Sequence, residues 1–377
     1  MADKLMIVTG EASGDVYGSL LVEDIKRLDP DIEITGVGGD RMRAAGVETF
    51  LDSDDLSVVG FWEAITRLAE LRNALSMVKK RIVRERPDLL ILIDYPGMNL
   101  RIADFARTKG VKVMYYVSPQ IWAWGRNRLK LIKRNVDKMV VILPFEVDIY
   151  ESEGVDVTYV GHPLIDIVKV DQNREQFLSS AGIDGSNQVV ALLPGSRIQE
   201  IRHHIRPLIQ TAGMLKQHLP STEFVLLSLP RFKDHLESEV AGAGVDIKVA
   251  TDRKYETIKY SDLVIACSGT VTLEVALLGT PMIVIYKLAL FSWALGRMIV
   301  KVPFISLANL VAGEEVVPEY IQGAVNPKAL AQEAADLLAN DERRRRMTDQ
   351  LETIRQCLGP GGATARTAEL ALSMMAR

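Results

Sequence analysis

Short apolar runs alternate along the chain with stretches whose apolar positions recur every three or four residues. In the first half the runs predict strands at 4–9, 32–37, 88–93, 111–117 and 138–143. The longer periodic stretches predict helices at 15–28, 60–86, 99–109, 124–134 and 144–153. The alternation restarts after the polar stretch Asp171-Gln172-Asn173-Arg174. It then predicts strands at 189–193, 223–227, 246–249, 263–267 and 282–285, with helices at 199–218, 233–243, 255–259 and 270–278. From Pro327 the pattern is helical in three pieces, interrupted at 340–341 and at 359–362. Alternation of this kind implies parallel sheets with helices packed on them. The strands carry Val, Ile and Leu on both faces, as burial from both sides requires. The expected fold class is therefore α/β: two Rossmann-like, doubly wound domains facing a cleft, followed by a helical C-terminal tail. The expected boundaries are 1–165, 166–340 and 341–377, the last packing back on the first domain or on a partner subunit.

Composition narrows this picture. A chain of 377 residues suits two domains better than one core. With 48% hydrophobic and 25% charged residues it is an ordinary globular sequence, and a net charge of −4 argues against nucleic acid as a partner. Cys267 and Cys357 stand far apart and outside any Cys/His cluster. A disulfide framework or structural zinc is not expected, and a reducing cytosol is. Met1-Ala2-Asp3-Lys4 leads straight into a strand, so no signal peptide is expected. No apolar run reaches the ~20 residues of a spanning helix. The nearest, 283–310, is broken by Lys287, Arg297 and Lys301.

In doubly wound sheets ligands bind beyond the carboxyl ends of the strands. Gly10-Glu11-Ala12-Ser13-Gly14-Asp15 follows the first strand, and Pro194-Gly195-Ser196-Arg197 follows the first strand of the second half. Either turn would leave backbone N–H groups at a helix N-terminus, where an anion can sit. The first is neither a Walker A loop nor G-x-G-x-x-G. It reads equally as a sugar- or phosphate-contacting loop and as a tight turn that needs glycine. At 194–197, amides, helix dipole and guanidinium would together hold a diphosphate without a metal. The segment Cys267-Ser268-Gly269-Thr270-Val271-Thr272-Leu273-Glu274 again runs from strand to helix. Glu274 is placed to accept both hydroxyls of a ribose, or is simply a favourable acid in the first helical turns.

Asp94 ends the apolar run at 88–93, where a carboxylate can act as a general base. It can equally cap the next helix, a role open to Asn99 instead. His162 is the one histidine beside the expected cleft, and reads either as a titrating group or as a residue fixing the turn at 161–163. His203, His204, His218 and His235 fall on helical segments and are expected at the surface. The stretch 60–86 repeats Phe61, Trp62, Ile65, Leu68, Leu71, Leu75 and Val78 at helical spacing. It also carries seven Lys/Arg against three Glu. The apolar positions are spread too broadly for one buried stripe, so partial membrane contact is expected there. The segment 288–295, between Lys287 and Arg297, is a second such surface. Arg343, Arg344, Arg345 and Arg346 read as a solvated helix face.

These motifs have a familiar order. Gly10-Glu11-Ala12-Ser13-Gly14-Asp15 comes first, then Asp94-Tyr95-Pro96-Gly97-Met98-Asn99 and Tyr116-Val117-Ser118-Pro119-Gln120-Ile121-Trp122-Ala123-Trp124. Leu143-Pro144-Phe145-Glu146, Val160-Gly161-His162-Pro163 and Leu193-Pro194-Gly195-Ser196-Arg197 follow. Ser268-Gly269-Thr270 with Glu274 and Ser306-Leu307-Ala308-Asn309-Leu310 complete the set. From Thr9 to about Asn326 the chain resembles the lipid-A-disaccharide synthase family.

The resemblance implies an inverting glycosyltransferase of GT-B architecture. Its donor would be UDP-2,3-diacylglucosamine and its acceptor 2,3-diacylglucosamine 1-phosphate. The products would be UDP and a β-1,6-linked lipid A disaccharide 1-phosphate, made at the cytoplasmic face of the inner membrane. No metal and no other cofactor is implied, and a homodimer is left open. Asp94 takes the catalytic place. Gly195, Ser196, Arg197, Ser268, Gly269, Thr270, Glu274 and Asn309 take the donor side. Gly10, Glu11, Ser13, Gly14, Asp15 and His162 take the acceptor side. Phe61, Trp62, Ile65, Leu68, Leu71 and Leu75 take the membrane contact. Two departures stand out: Gly97 replaces a second Asp found in many relatives, and Ala308 a frequent Pro. The alternatives are a UDP-N-acetylglucosamine 2-epimerase, another membrane-associated UDP-sugar transferase, and a non-catalytic nucleotide-sugar-binding protein.

Overall fold

The computed structural model describes residues 3–53, 68–123, 125, 127–289, 293 and 302–376. The chain divides into two compact units, Met1–Pro163 with Leu358–Arg377, and Leu164–Cys357. The tail is thus shared out. The helix Asp341–Cys357 belongs to the second unit and only Ala363–Met375 returns to the first.

The first unit holds a seven-stranded parallel sheet in the order β3-β2-β1-β4-β5-β6-β7. Its strands are β1 (Lys4–Thr9), β2 (Glu33–Gly38), β3 (Glu48–Asp52), β4 (Leu89–Ile93), β5 (Lys112–Tyr116), β6 (Lys138–Val141) and β7 (Val157–Tyr159). Leu89 to Ile93 are wholly buried, because helices cover both faces of this central strand. Thr9 lies opposite Ile93, and Ile93 opposite Tyr116, so the loops after β1, β4 and β5 emerge side by side.

The second unit holds a six-stranded sheet in the order β10-β9-β8-β11-β12-β13. Its strands are β8 (Gln188–Leu193), β9 (Thr222–Leu227), β10 (Ile247–Ala250), β11 (Leu263–Cys267), β12 (Met282–Tyr286) and β13 (Glu319–Ile321). Leu193 pairs with Ala266 and Cys267 with Ile285, so the loops after β8, β11 and β12 also leave from one edge. The central strands of both sheets match the sequence pattern. The pattern misses β3, β7 and β13, which are three to five residues long, at sheet edges and half-buried. An edge strand with little buried surface leaves little periodicity to read.

The helix Ala363–Met375 packs on the helix Ala12–Leu28. Thr364 Oγ1 donates to Asp24 Oδ2 at 2.5 Å, and the Arg366 guanidinium donates to the Val160 carbonyl. The helix Leu68–Glu85 buries Ala74, Val78 and Ile82 in the core, with Leu71 and Leu75 partly buried against it. The lower half of the expected membrane stripe is therefore core, since a helix on a sheet must bury one face. Phe61, Trp62, Ile65 and the side chain of Leu68 lie outside the described residues, as do Trp124 and most of 288–295.

Asp15 has a structural task that its motif did not announce. Its buried carboxylate accepts the amides of Gly39 (2.6 Å), Arg41 (3.1 Å) and Met42 (3.2 Å). It thus caps the helix Asp40–Ala44 from another element, where no local side chain does so. Replacing Asp15 with Ala strands those amides. The expected cost is about 2 kcal/mol of stability, read as a lower urea midpoint, with Asp15→Asn falling between.

Candidate active site

In the first unit the chemistry gathers at the ends of β4 and β5. Asp94 and Tyr95 have φ of +47° and +44°, and Val117 has +63°. Left-handed backbone is costly for residues with a Cβ and most of all for a β-branched one. Here it is held by fixed bonds. The Asp94 carbonyl accepts from Tyr115 Oη (2.5 Å) and Asn99 Nδ2 (2.8 Å), and Asn99 Nδ2 also reaches the Ile93 carbonyl (3.1 Å). The helix Pro96–Thr108 starts from Tyr95 without a side-chain cap bond. The N-cap position thus falls to Tyr95 and not to Asp94. Asn99 does not cap either; it pins the backbone of Asp94. A side chain at Gly97 would meet no atom within 4 Å, so nothing steric explains the missing second acid.

The glycines beside Asp94 serve close packing. A Cβ on Gly10 would stand 2.3 Å from the Tyr95 ring, and one on Gly14 would stand 1.8 Å from Thr9 Oγ1. Neither glycine has the positive φ of a tight turn, and Gly14 lies within the helix Ala12–Leu28; the need for glycine here is steric. Glu11 is half-buried and Ser13 exposed. Burial, together with the negative charge of Glu11, raises the Tyr95 phenol above its usual range. His162 takes the structural alternative. It is 2% exposed, its amide donates to the Leu358 carbonyl at 2.9 Å, and its ring meets Tyr17 edge-on. Burial lowers its pKa to about 3. It stays neutral at physiological pH and does not act as a titrating group there.

Glu146, which ends the motif Leu143-Pro144-Phe145-Glu146, has a role that the motif alone does not assign. It sits 2% exposed at the start of the helix Glu146–Glu151. Its two oxygens accept from Trp122 Nε1 (3.2 Å) and the Leu143 amide (3.3 Å). It ties the loop after β5 to the loop after β6. Burial pushes its pKa up to about 8.

In the second unit the loops after β8, β11 and β12 converge. The expected open amides of Ser196 and Arg197 are not open: both donate to Glu200 Oε2, at 2.9 and 3.2 Å. Gly195 has φ of +123°, and a Cβ there would strike Glu200 at 2.5 Å. Glu200 Oε1 also pairs with the half-exposed Arg197 guanidinium at 3.5 Å. The spacing Arg197-x-x-Glu200 carried this signal, because an acid three residues into a helix reaches back to its start.

The turn after β11 is open at its glycine. Gly269 has φ of +156°, and nothing lies within 4 Å of where its Cβ would stand. Exposed Thr270 heads the helix Val271–Leu278. Ser268 Oγ, by contrast, donates to the Ile305 carbonyl at 2.7 Å. Glu274 is buried and ion-paired with Lys254. Asn309 is corrected from a ligand contact to a structural clamp. Its Nδ2 donates to the Val317 carbonyl and Glu319 Oε1, and its Oδ1 accepts from the amides of Val316 and Val317. That saturates the amide group. Glu319 in turn accepts the amides of Ile305 and Ser306. His204, expected at the surface, is fully buried. Nothing local in the sequence marks Lys254, Glu319 or His204, since each acts on a distant segment. Among the described residues no group of acids, histidines and cysteines is arranged to hold a metal ion.

Solved structures place this architecture. UDP-GlcNAc 2-epimerase from Neisseria meningitidis, bound to UDP-GlcNAc, aligns with a TM-score of 0.68 at 13% identity, covering 98% of this chain and all of that one. The glycotransferase of kitacinnamycin aligns with a TM-score of 0.66 at 14% identity, covering 99% of both chains. The fold is therefore GT-B, the fold of two-domain glycosyltransferases and their epimerase relations. Sequence decides within that class. The family model for lipid-A-disaccharide synthetase matches residues 5–372. Lipid-A-disaccharide synthase of Trichlorobacter lovleyi is 46% identical over 99% of this chain and 97% of the relative. That of Geobacter sulfurreducens is 42% identical over 99% and 98%. The chain belongs to the lipid-A-disaccharide synthase family, and is a glycosyltransferase of lipid A biosynthesis.

The raised pKa of Glu146 has a consequence for stability. The folded chain keeps its proton up to about 8, where an unfolded glutamate releases it near 4.5. The stabilisation is complete below the lower value and is lost as pH rises through the higher one. Between them, the denaturant midpoint of the wild type should fall more steeply than that of Glu146→Gln, which has no proton to lose.

Proposed function

We propose that the second unit holds the UDP-diacylglucosamine donor and that the first supplies the base for the acceptor. The observation that carries this reading is the pair of loop clusters at the carboxyl edges of the two sheets, one bearing Asp94 and the other Arg197, Gly269, Thr270 and Glu274. Arg197 lies against the diphosphate, and the open face of Gly269 admits a phosphate close to the backbone at a helix N-terminus. Glu274 takes the ribose hydroxyls, with Lys254 paired to its carboxylate. Asp94 accepts the proton of the acceptor 6-hydroxyl as its oxygen attacks the anomeric carbon. The bond to UDP breaks in the same step, and one displacement turns the α-linked donor into a β-1,6-linked disaccharide 1-phosphate. Glu11 and Ser13, at the start of the neighbouring helix, take the acceptor side. Ser268 and Asn309 contribute by shaping the donor loops, and Ser196 by its place in the 194–197 loop.

A membrane-facing surface belongs to the same reading, relocated from the apolar stripe. No helix among the described residues is long and apolar enough to cross a membrane. A cavity of about 480 Å³ opens instead beside the helix Leu68–Glu85, with Leu75, Val83 and Phe105 as its floor and Arg72, Lys79, Lys80 and Arg84 around it. Val83 is 50% exposed, and the Lys79 ammonium stands 5.0 Å above the Phe105 ring. Apolar floor and cationic rim suit the anionic cytoplasmic leaflet, where each Lys or Arg is worth about 1 kcal/mol. A peripheral enzyme at that leaflet would meet both acylated substrates there.

Three experiments test this. Asp94→Asn should lower kcat about 10²–10⁴-fold while UDP affinity holds. Arg197→Ala should weaken UDP about tenfold, with a smaller effect on turnover at saturation; wild-type kcat in the Asp94 variant would remove it as the base. Reversing Lys79, Lys80 and Arg84 to Glu should abolish sedimentation with anionic vesicles. Retained binding at equal salt would place the membrane contact elsewhere.

A further inference from the structure

His204 has no part in the donor site as described, yet it is among the most enclosed polar side chains of the second unit. It projects from the helix Ile198–His218, is 0% exposed, and uses both ring nitrogens. Nδ1 lies 2.9 Å from the Pro194 carbonyl oxygen. A carbonyl only accepts, so Nδ1 carries the proton. The Lys287 amide donates to Nε2 at 2.8 Å, so Nε2 is bare. Both bonds therefore require one neutral tautomer. Burial lowers the pKa to about 4, which preserves that tautomer at neutral pH.

The two partners follow different strands. Pro194 directly follows β8, and Lys287 directly follows β12. In the sheet β8 and β12 flank β11 on either side. His204 thus spans the end of β11, from which the turn Ser268-Gly269-Thr270 departs. Its ring also lies 6.4 Å from that of Tyr286, the last residue of β12. A planar ring with two opposed, directed bonds fixes a distance that flexible side chains would leave loose. The residues that follow Pro194 are Gly195, Ser196 and Arg197.

We infer that His204 is a positioning residue for the donor diphosphate, setting the 194–197 loop against the 268–270 turn so that Arg197 meets the phosphates. The inference rests on the assignment of the donor to the second unit. His204 touches no substrate in this account; it acts through the Pro194 carbonyl.

Amide side chains separate its two bonds. Asn places an N–H near the position of Nδ1 and can keep the bond to Pro194. Gln places an oxygen near Nε2 and can keep only the bond to Lys287. Leu keeps neither. The measurements are the UDP Kd of the full chain by calorimetry, the KM of donor and acceptor separately, and the Tm. His204→Gln and His204→Leu should raise the UDP Kd and the donor KM about tenfold, or about 1.4 kcal/mol, and leave the acceptor KM alone. His204→Asn should stay within about threefold of wild type, because it retains the bond that places the loop. An unchanged UDP Kd in the folded Gln variant overturns the inference, and so does an Asn variant as weak as Gln. If Leu fails to fold, the Asn and Gln pair still decides. Wild type and Arg197→Ala run alongside. A wild type that binds no UDP would refute the donor assignment itself, and the role of His204 with it. Normal UDP binding that Arg197→Ala weakens and the His204 variants leave intact would refute the role of His204 alone.

Discussion

Loops at the carboxyl edge of a parallel sheet leave backbone amides and carbonyls that no strand can pair. Once packed away from water, each such group costs about 1–3 kcal/mol unless a partner reaches it. This protein meets that constraint in one recurring way: a buried or partly buried polar side chain reaches out to the backbone of a neighbouring segment. Asp15 takes three amides at the start of Asp40–Ala44, and Glu146 takes the Leu143 amide and the Trp122 indole. Glu200 takes two amides of the loop that precedes its helix, Asn309 and Glu319 lock 305–317, and His204 joins the ends of two strands.

That constraint sorts the motifs. Residues of the same chemical type divide according to whether the fold has already used their polar atoms. Asp15 and Asp94 both follow strand ends, six residues and one residue beyond β1 and β4. The carboxylate of the first is consumed in capping, whereas the second is held by its own carbonyl, through Tyr115 and Asn99. Holding the backbone of Asp94 through its carbonyl fixes where the residue stands at the end of β4. The strained conformations of Asp94, Tyr95 and Val117 fit the same purpose, since such backbone persists only where its surroundings over-determine it.

The donor side shows a similar economy. The amides of Ser196 and Arg197 are spent on Glu200, which leaves the guanidinium of Arg197 and the open approach at Gly269 as the features suited to a diphosphate. Saturated neighbours such as Asn309 cannot add contacts, but they hold the loops that carry those features. The C-terminal helix does comparable work in the first unit, where Thr364 and Arg366 fasten it to Asp24 and Val160.

The sequence by itself determined the two parallel sheets, because strands buried on both faces must be apolar throughout and helices between them must repeat every three to four residues. It also determined the family, through ordered motifs of unusual density, and it placed Asp94, Arg197 and Gly269 just past strand ends and Glu274 in the first turns of the helix that follows. Edge strands β3, β7 and β13 escaped it, since short half-buried segments carry no period. It spread the apolar residues of 60–86 across a membrane face, where packing put Val78 and Ile82 in the core. Only the tertiary structure decided what each polar side chain in those motifs is for. A hydrogen bond such as that of Lys287 to His204 joins residues 83 positions apart. No local pattern of residues encodes such a bond; it exists only once the strands lie side by side.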